Sequence, residues 1–183
     1  MGDVKITETG IKGVLIIEPM IFGDDRGYFT ETYNKSDFLT AGLSFDFVQD
    51  NQSRSKRGVL RGLHYQREYP QAKLVRVIEG EVFDVAVDLR RDSVTYGKWV
   101  GVVLSNENKK QFLIPRGFAH GFVVLSDYAT FCYKCDEYYH PKDEGGIIWN
   151  DSDIAIDWPL KEGILLSEKD SKRPTLKEAG VEF

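Results

Sequence analysis

Short runs of β-branched and aromatic residues, separated by turn residues, recur along most of the chain. Polar reversals such as GDDRG, IEGEV, LSNENKK and LSDY lie between them. Alternating runs bounded by turns are typical of an all-β domain, so the pattern predicts two sheets rolled into a jelly-roll sandwich or small barrel. The strands are expected in GVLIIEP, GYFTETY, SFDFVQD, GVLRGLHYQ, AKLVRVIEGEVFDVAVDL, GKWVGVVLS, KQFLIP, AHGFVVLS and YATFCYKC.

Two segments depart from this pattern. NKSDFLTAG favours a short surface helix, because Ser36 can cap its first turn and Gly42 suits a left-handed end. After about residue 140 Asp, Gly and Pro dominate, but scattered tryptophans and isoleucines still require burial. No repeat or low-complexity linker marks a boundary, so we expect one domain over residues 1–183 with this tail wrapped around the barrel.

Composition narrows the classes of function. The chain has 183 residues, a formal net charge of -5 and a pI near 5.3, which argues against a nucleic-acid-binding face. MGDVKITETG lacks an apolar signal core, and no run approaches the ~20 apolar residues of a membrane span. The sequence therefore predicts a cytoplasmic protein without membrane contact. Cations around RGVLRGLHYQ could serve an anionic ligand, although a solvated rim is the commoner origin of such a cluster.

Four polar residues share strand faces with apolar ones. Lys73 alternates with valines, His120 lies between two phenylalanines, and Tyr133 shares its face with Phe131. His64 lies near the end of the run VLRGLHY, where alternation places it on the same face as Leu60. A lone inward histidine or tyrosine is usually a satisfied core residue, and a strand-end lysine usually reaches water. Together, however, they would form an acid/base set if all entered one cavity.

Arg61 and the two cysteines pose separate questions. Strict alternation directs Arg61 away from His64, unless a bulge at a glycine such as Gly62 turns it back. The alternation leaves both possibilities open. Cys132 and Cys135 form a C-x-x-C pair in a strand pattern, where residues three apart face opposite sides, so we predict two ordinary strand cysteines.

Two segments resemble the motifs of the cupin superfamily. PRGFAHGF, which contains His120, is similar to the second motif, and the segment from His64 through VIEGEV is similar to the first. The resemblance implies a cupin jelly-roll barrel with a few short peripheral helices. Metal-binding cupins use three histidines and a carboxylate, but Gln66 stands at one histidine position and the glutamate position falls near Gln71 to Lys73. We therefore expect no metal and no cofactor.

Longer motifs closely resemble the dTDP-4-dehydrorhamnose 3,5-epimerases, in order and spacing, from about residue 4 to residue 175. The resemblance implies conversion of dTDP-4-dehydro-6-deoxy-D-glucose into dTDP-4-dehydro-L-rhamnose, in dTDP-L-rhamnose biosynthesis, by α-proton removal, enolate stabilisation and reprotonation. The motifs are DDRGYFTETYN, FVQDNQSRS, GVLRGLHYQ, PQAKLVRVIEGEVFDVAVDLR, IPRGFAHGF, YKCDEYYHP and LSEKD.

This resemblance also assigns roles by motif position. It implies that His64 is the base, Asp170 orients it, Lys73 faces the enolate oxygen and Tyr133 returns the proton. It further implies a homodimer in which an N-terminal strand crosses to the partner's sheet, so that part of each site comes from the other subunit. The implied substrate contacts are Arg26, Phe29, Glu31, Gln49, Asn51, Arg61, His120, Tyr138, Glu144 and Lys169.

Other functions are also compatible with these motifs. A single-centre epimerase or ketoisomerase acting on a related dTDP-4-keto sugar would use the same histidine, aspartate and tyrosine chemistry. A sugar-nucleotide-binding cupin without activity, or a metal-dependent dioxygenase, would share the barrel. Hydrogen exchange at the two carbons, elemental analysis and variants of His64 distinguish these alternatives.

Overall fold

The computed structural model describes residues 4–183, which form β-strands and three helices of four to six residues. None of these helices is long and apolar enough to cross a membrane. The helices are α1 (Lys35–Thr40), α2 (Glu168–Ser171) and α3 (Leu176–Ala179). The strands are β1 (Lys5–Glu8), β2 (Leu15–Glu18), β3 (Ile21–Asp24), β4 (Gly27–Thr30), β5 (Gln49–Lys56), β6 (Leu60–Gln66), β7 (Lys73–Glu79), β8 (Glu81–Asp88), β9 (Trp99–Ser105), β10 (Gln111–Ile114), β11 (Phe118–Val124), β12 (Tyr128–Cys135) and β13 (Glu144–Gly146).

The strands form two large antiparallel sheets and a separate hairpin. The six-stranded sheet has the order β1-β2-β10-β7-β12-β5, the five-stranded sheet has the order β13-β6-β11-β8-β9, and β3 pairs only with β4. Neighbours in each sheet are mostly distant in sequence, as in a jelly roll. The all-β prediction of a cupin barrel with a few short helices is confirmed.

The main core lies between the inner faces of the two sheets. Each aromatic or branched side chain that is fully buried there contributes roughly 1.5–3 kcal/mol to folding. The six-stranded sheet contributes Val75, Val77, Phe112, Ile114 and Phe131 to this core. The five-stranded sheet contributes Val82, Ala86, Leu104, Phe118 and Phe122.

A second apolar cluster lies on the outer face of the five-stranded sheet. Ile147, Ile154 and Trp158 of the C-terminal segment pack there against Leu60 and Leu63 of β6. The main chain of the segment is also bonded to β6, since the Leu60 amide donates to the carbonyl of residue 165 at 3.0 Å. The C-terminal segment is thereby held beside β6, which matters for the site.

Two local predictions need correction. SFDFVQD is a strand only in its last two residues, because β5 begins at Gln49. Phe45 and Phe47 before it pack near Tyr33 beside α1. These aromatic residues serve a satellite core, while the polar sequence after them pairs with β12 as an edge strand. The helix predicted in NKSDFLTAG is present, but its N-cap is Asn34 rather than Ser36. The Asn34 side chain accepts a hydrogen bond from the backbone amide of residue 36.

Candidate functional site

A bulge in β6 decides which side chains face the space between the sheets. His64 pairs with His120 and Arg61 pairs with Phe122, so two residues of β6 oppose the single Gly121 of β11. Gly62 permits this, because its φ is +122° and a Cβ there would lie 2.6 Å from the Gly121 Cα. The bulge turns Arg61 to the same side as His64, so strict alternation was wrong and the glycine-bulge alternative is correct.

His64 and Asp170 form a hydrogen-bonded pair across the junction between β6 and the C-terminal segment. His64 Nε2 lies 2.6 Å from Asp170 Oδ1, and the side chains are 32% and 6% exposed. Ser167 caps the turn that carries the carboxylate. Burial raises the pKa of Asp170, but hydrogen bonds from His64 and Ser167 outweigh it and keep the pKa below its ordinary value. The carboxylate is therefore ionised and bound to the imidazole.

A cavity of roughly 270 Å³ opens beside this pair, at one end of the barrel. It lies between the two sheets, because its walls come from β5, β7 and β12 on one side and from β6 and β13 on the other. Its polar lining suits a hydroxylated ligand. The lining residues are Gln49, Asn51, His64, Tyr65, Gln66, Gln71, Lys73, Tyr133, Cys135, Tyr139 and Glu144.

Lys73 and Tyr133 face this cavity as the alternation predicts. Within residues 4–183 the Lys73 ammonium has no hydrogen bond or ion pair, and burial lowers its pKa despite nearby Cys135, Asp84 and Glu144. Burial also raises the pKa of the Tyr133 phenol, which keeps it protonated. The cavity thus contains a cation without a counter-ion and a neutral phenol, opposite an imidazole.

A second cavity, of roughly 440 Å³, shares His64 and Glu144 with the first. Arg61, Lys169 and Lys56 line it together with Asp170. The Arg61 guanidinium is held by Ser55 Oγ, at 3.0 Å and 3.2 Å. Three cations in one open cavity suit an anionic group such as a phosphate.

Glu144 connects the two cavities through a charged cluster. Its carboxylate accepts from Lys169 Nζ at 2.8 Å, from the Tyr139 hydroxyl at 2.6 Å and from Arg173 Nη2. Burial opposes ionisation, but the bonds from Lys169 and Tyr139 lower the pKa of Glu144 to about 2. The Tyr139 pKa rises correspondingly to about 12. Glu144 is therefore ionised, and its carboxylate is bonded to all three of these side chains.

His120 faces inward but does not line either cavity. Its Nε2 lies 3.0 Å from both carboxylate oxygens of Asp84, and both side chains are buried. Burial lowers the pKa of His120 and raises that of Asp84, so the protein interior favours the neutral forms of the pair. Asp84 was missed in the sequence, although an acid on the buried face of VFDVAV was a usable signal.

Besides His120, four predicted contacts do not line these cavities. Arg26 and Phe29 are on the β3–β4 hairpin, where Arg26 pairs with Asp24 and Phe29 is 67% exposed. Glu31 accepts from the side chain of residue 34 at 3.1 Å, and Tyr138 is 59% exposed. Gln49, Asn51, Arg61, Glu144 and Lys169 are the predicted contacts that do line a cavity.

The donor groups do not suit a transition metal. Both inward histidines are bonded to carboxylates, and Gln66 uses its whole amide, accepting from His140 N at 2.7 Å and donating to the carbonyl oxygens of Tyr69 and Tyr138. Within residues 4–183 no three His, Cys, Asp or Glu side chains are grouped to hold an ion. Gln66 instead holds the backbone around residues 69 and 138–140, which forms the cavity rim, by these three hydrogen bonds.

Comparisons with known proteins identify the relatives of this chain. The family model described as dTDP-4-dehydrorhamnose 3,5-epimerase matches residues 8–178. The epimerase of that name from Escherichia coli K12 is 58% identical over 177 residues, 96% of each chain. The one from Methanothermobacter thermautotrophicus is 56% identical over 183 residues, 99% of each chain. A crystal structure of dTDP-6-deoxy-D-glucose-3,5-epimerase from Legionella pneumophila, in complex with dTDP-4-keto-L-rhamnose, has a TM-score of 0.94 at 52% identity over 98% of both chains.

Proposed function

The chain belongs to the dTDP-4-dehydrorhamnose 3,5-epimerase family, and on this premise we propose that His64, Asp170, Lys73 and Tyr133 carry out its reaction. The chain is an isomerase that inverts C3 and C5 of dTDP-4-dehydro-6-deoxy-D-glucose to form dTDP-4-dehydro-L-rhamnose. The observation that carries the assignment of residues is the His64–Asp170 pair, which shares one cavity with an unpaired ammonium and a phenol.

Proton removal falls to His64. The Asp170 carboxylate is hydrogen-bonded to His64 Nε2, whereas His64 Nδ1 has no hydrogen-bond partner within residues 4–183. Nδ1 is therefore the nitrogen that accepts the α-proton of the sugar. The electron pair of the broken C–H bond moves into the C4 ketone and forms an enolate. The ionised Asp170 fixes the tautomer and stabilises the resulting imidazolium without taking the proton itself.

Lys73 stabilises the enolate oxygen. A carbon acid is far weaker than an imidazolium, at about 1.4 kcal/mol per pKa unit of difference, and the negative charge on oxygen must be offset for the proton to move. Lys73 is suited to this because its ammonium has no counter-ion in the described part of the chain. A fixed positive charge in a cavity requires no reorganisation as the enolate forms.

Reprotonation on the other face falls to Tyr133. His64 extends from β6 of the five-stranded sheet and Tyr133 from β12 of the six-stranded sheet, on opposite walls of the cavity. A proton removed towards one wall and returned from the other inverts the carbon. The Tyr133 proton moves to carbon as the enolate collapses to the ketone. The His64 imidazolium then releases the abstracted proton to solvent and the Tyr133 phenolate takes a proton from solvent, which restores both residues.

The second cavity holds the diphosphate in this proposal. Arg61 offers a planar fork that can bond two oxygens at once, and Lys169 adds a second cation. Gln49 and Asn51 bond the polar groups of the substrate in the first cavity, since their amides line it. Tyr138 completes the proposed contacts by stacking at the rim. His120 lines neither cavity, so we propose that it acts through its neighbour His64, with which it is directly paired between β11 and β6.

Arg26, Phe29 and Glu31 are proposed to act in trans. They lie away from both cavities of their own chain, and the β3–β4 hairpin exposes several aromatic side chains. A homodimer that places this hairpin over the partner's cavity, with an N-terminal strand added to the partner's sheet, would bury them. Light scattering tests the dimer. A mixture of inactive Arg26→Ala and His64→Ala chains should recover activity if one site of each mixed dimer is intact.

The reaction is tested in heavy water. The purified protein, given dTDP-4-dehydro-6-deoxy-D-glucose and coupled to an NADPH-dependent reductase, should place deuterium at both C3 and C5 and form the rhamnose configuration. Exchange at one carbon alone would indicate a single-centre epimerase. One tightly held transition metal per chain would contradict the metal-free proposal.

Residues 1–183 are proposed to form one domain. A cytoplasmic location is also proposed, and cell fractionation tests it.

A further inference from the structure

Arg173 lies beside the proposed base pair, although the steps proposed above do not use it. Its side chain is 10% exposed, and Nη2 donates to Glu144 Oε1. Nε is buried without a hydrogen-bond partner in residues 4–183, and it lies 3.8 Å from Asp170 Oδ1. That oxygen is the one bonded to His64 Nε2. A single guanidinium is therefore placed between two ionised carboxylates, one of which holds the base.

A glycine in β13 leaves room for the Arg173 side chain. A Cβ on Gly146 would lie 2.6 Å from Arg173 Nε, so a larger residue there would displace the guanidinium. Gly146 is also the residue directly opposite His64 in the pairing of β13 with β6. The guanidinium therefore lies over β13 at the position that faces the base, two residues along the strand from Glu144.

Asp170 needs an anchor of this kind. It lies in α2, a helix of four residues, and one helical turn has little stability of its own. Misplacement of a reacting group by about 1 Å can cost on the order of a hundredfold in rate. Ser167 caps the turn but lies on the same short segment, so it cannot fix the turn against the barrel. Arg173 connects the segment to β13.

We infer that Arg173 is a positioning residue for the His64–Asp170 pair, holding the Asp170 carboxylate on the imidazole by bridging it to Glu144 on β13. This inference rests on the proposed function of the pair. Arg173 does not contact the reacting atoms. Its removal should therefore lower the rate of proton transfer more than it weakens substrate binding.

The first test compares Arg173→Met and Arg173→Lys with Lys172→Met. Lys172 is the adjacent cation, but it is exposed and pairs with Glu168 on the same short segment. We expect Arg173→Met to lower kcat by about tenfold to a hundredfold with KM changed by less than about threefold. Arg173→Lys should recover part of the loss, and Lys172→Met should leave kcat unchanged. An unchanged kcat in Arg173→Met would overturn the inference.

A double-mutant cycle separates positioning from a general structural role. In an Asp170→Asn background, Arg173→Met should cost less than about threefold, because the carboxylate that it positions is already lost. The same loss in both backgrounds, or a loss that disappears only in a Glu144→Gln background, would reject the inference. If Arg173→Met does not fold, the cycle is run with Arg173→Lys, for which a loss of about three- to tenfold in kcat is expected.

The outcome of Asp170→Asn alone distinguishes the two proposals. A fully active Asp170→Asn variant would remove the proposed role of the carboxylate, and with it the basis for Arg173. An impaired Asp170→Asn variant beside an unimpaired Arg173→Met variant would reject the role of Arg173 only.

Discussion

Replacement of Asp170 by asparagine removes the negative charge bonded to the proposed base while changing the side-chain volume very little. Asp170 Oδ1 lies 2.6 Å from His64 Nε2, and Asp170 is buried whereas His64 is 32% exposed. Two unit charges about 4 Å apart at an effective dielectric constant of about 20 interact by roughly 4 kcal/mol. Screening at the partly exposed imidazole reduces this to roughly 2–4 kcal/mol of lost imidazolium stabilisation.

The rate should fall accordingly. At about 1.4 kcal/mol per factor of ten, the loss corresponds to roughly 30- to 1000-fold in kcat. A second effect has the same direction. The asparagine amide can donate to Nε2, which would leave the imidazole proton on Nδ1, the nitrogen that must accept the substrate proton.

The assay measures kcat and KM by reductase coupling, with deuterium uptake followed separately. Glu168→Gln is the matched control, because Glu168 lies in the same helix but is exposed and pairs only with Lys172 in the described residues. It should retain normal kcat. A folded Asp170→Asn variant with kcat within about threefold of the unmodified protein would refute the proposed role of Asp170.

Three further predictions concern other groups of the site. Lys73→Met should lower kcat by at least about a hundredfold, because the charge that stabilises the enolate is lost. Its melting temperature should be unchanged or higher, because a buried ammonium whose pKa is lowered destabilises the fold. A lower melting temperature with normal kcat would contradict this prediction. Tyr133→Phe should lower product formation by about a hundredfold while deuterium still enters the recovered substrate; equal loss of both would assign Tyr133 to proton removal. Glu144→Gln should lose roughly 2–3 kcal/mol of unfolding free energy at pH 7 by urea denaturation, because the folded pKa of Glu144 is lowered to about 2. That stabilisation is present above about pH 4.5 and is lost as the pH falls towards 2, so a difference that does not shrink in acid would refute the charge-based explanation.

Local sequence determined the class of the fold and the inward direction of several key side chains. Period-two alternation is a property of each strand by itself, so it placed Lys73, His120 and Tyr133 on buried faces correctly. The same local logic failed for SFDFVQD, because an apolar run can equally serve a satellite core, and for Arg61, because a bulge changes the alternation in the middle of a strand.

Only the tertiary structure decided which of these groups meet. Asp170 is 106 residues from His64 in sequence and reaches it because the apolar C-terminal segment packs against the outer face of β6. The same packing brings Arg173 over Gly146 and next to Glu144. The tertiary structure also leaves Arg26 and Phe29 on a separate hairpin, where they do not line the two cavities of their own chain. Contacts of this kind depend on burial and pairing between distant segments, which no local pattern of hydrophobic and polar residues specifies.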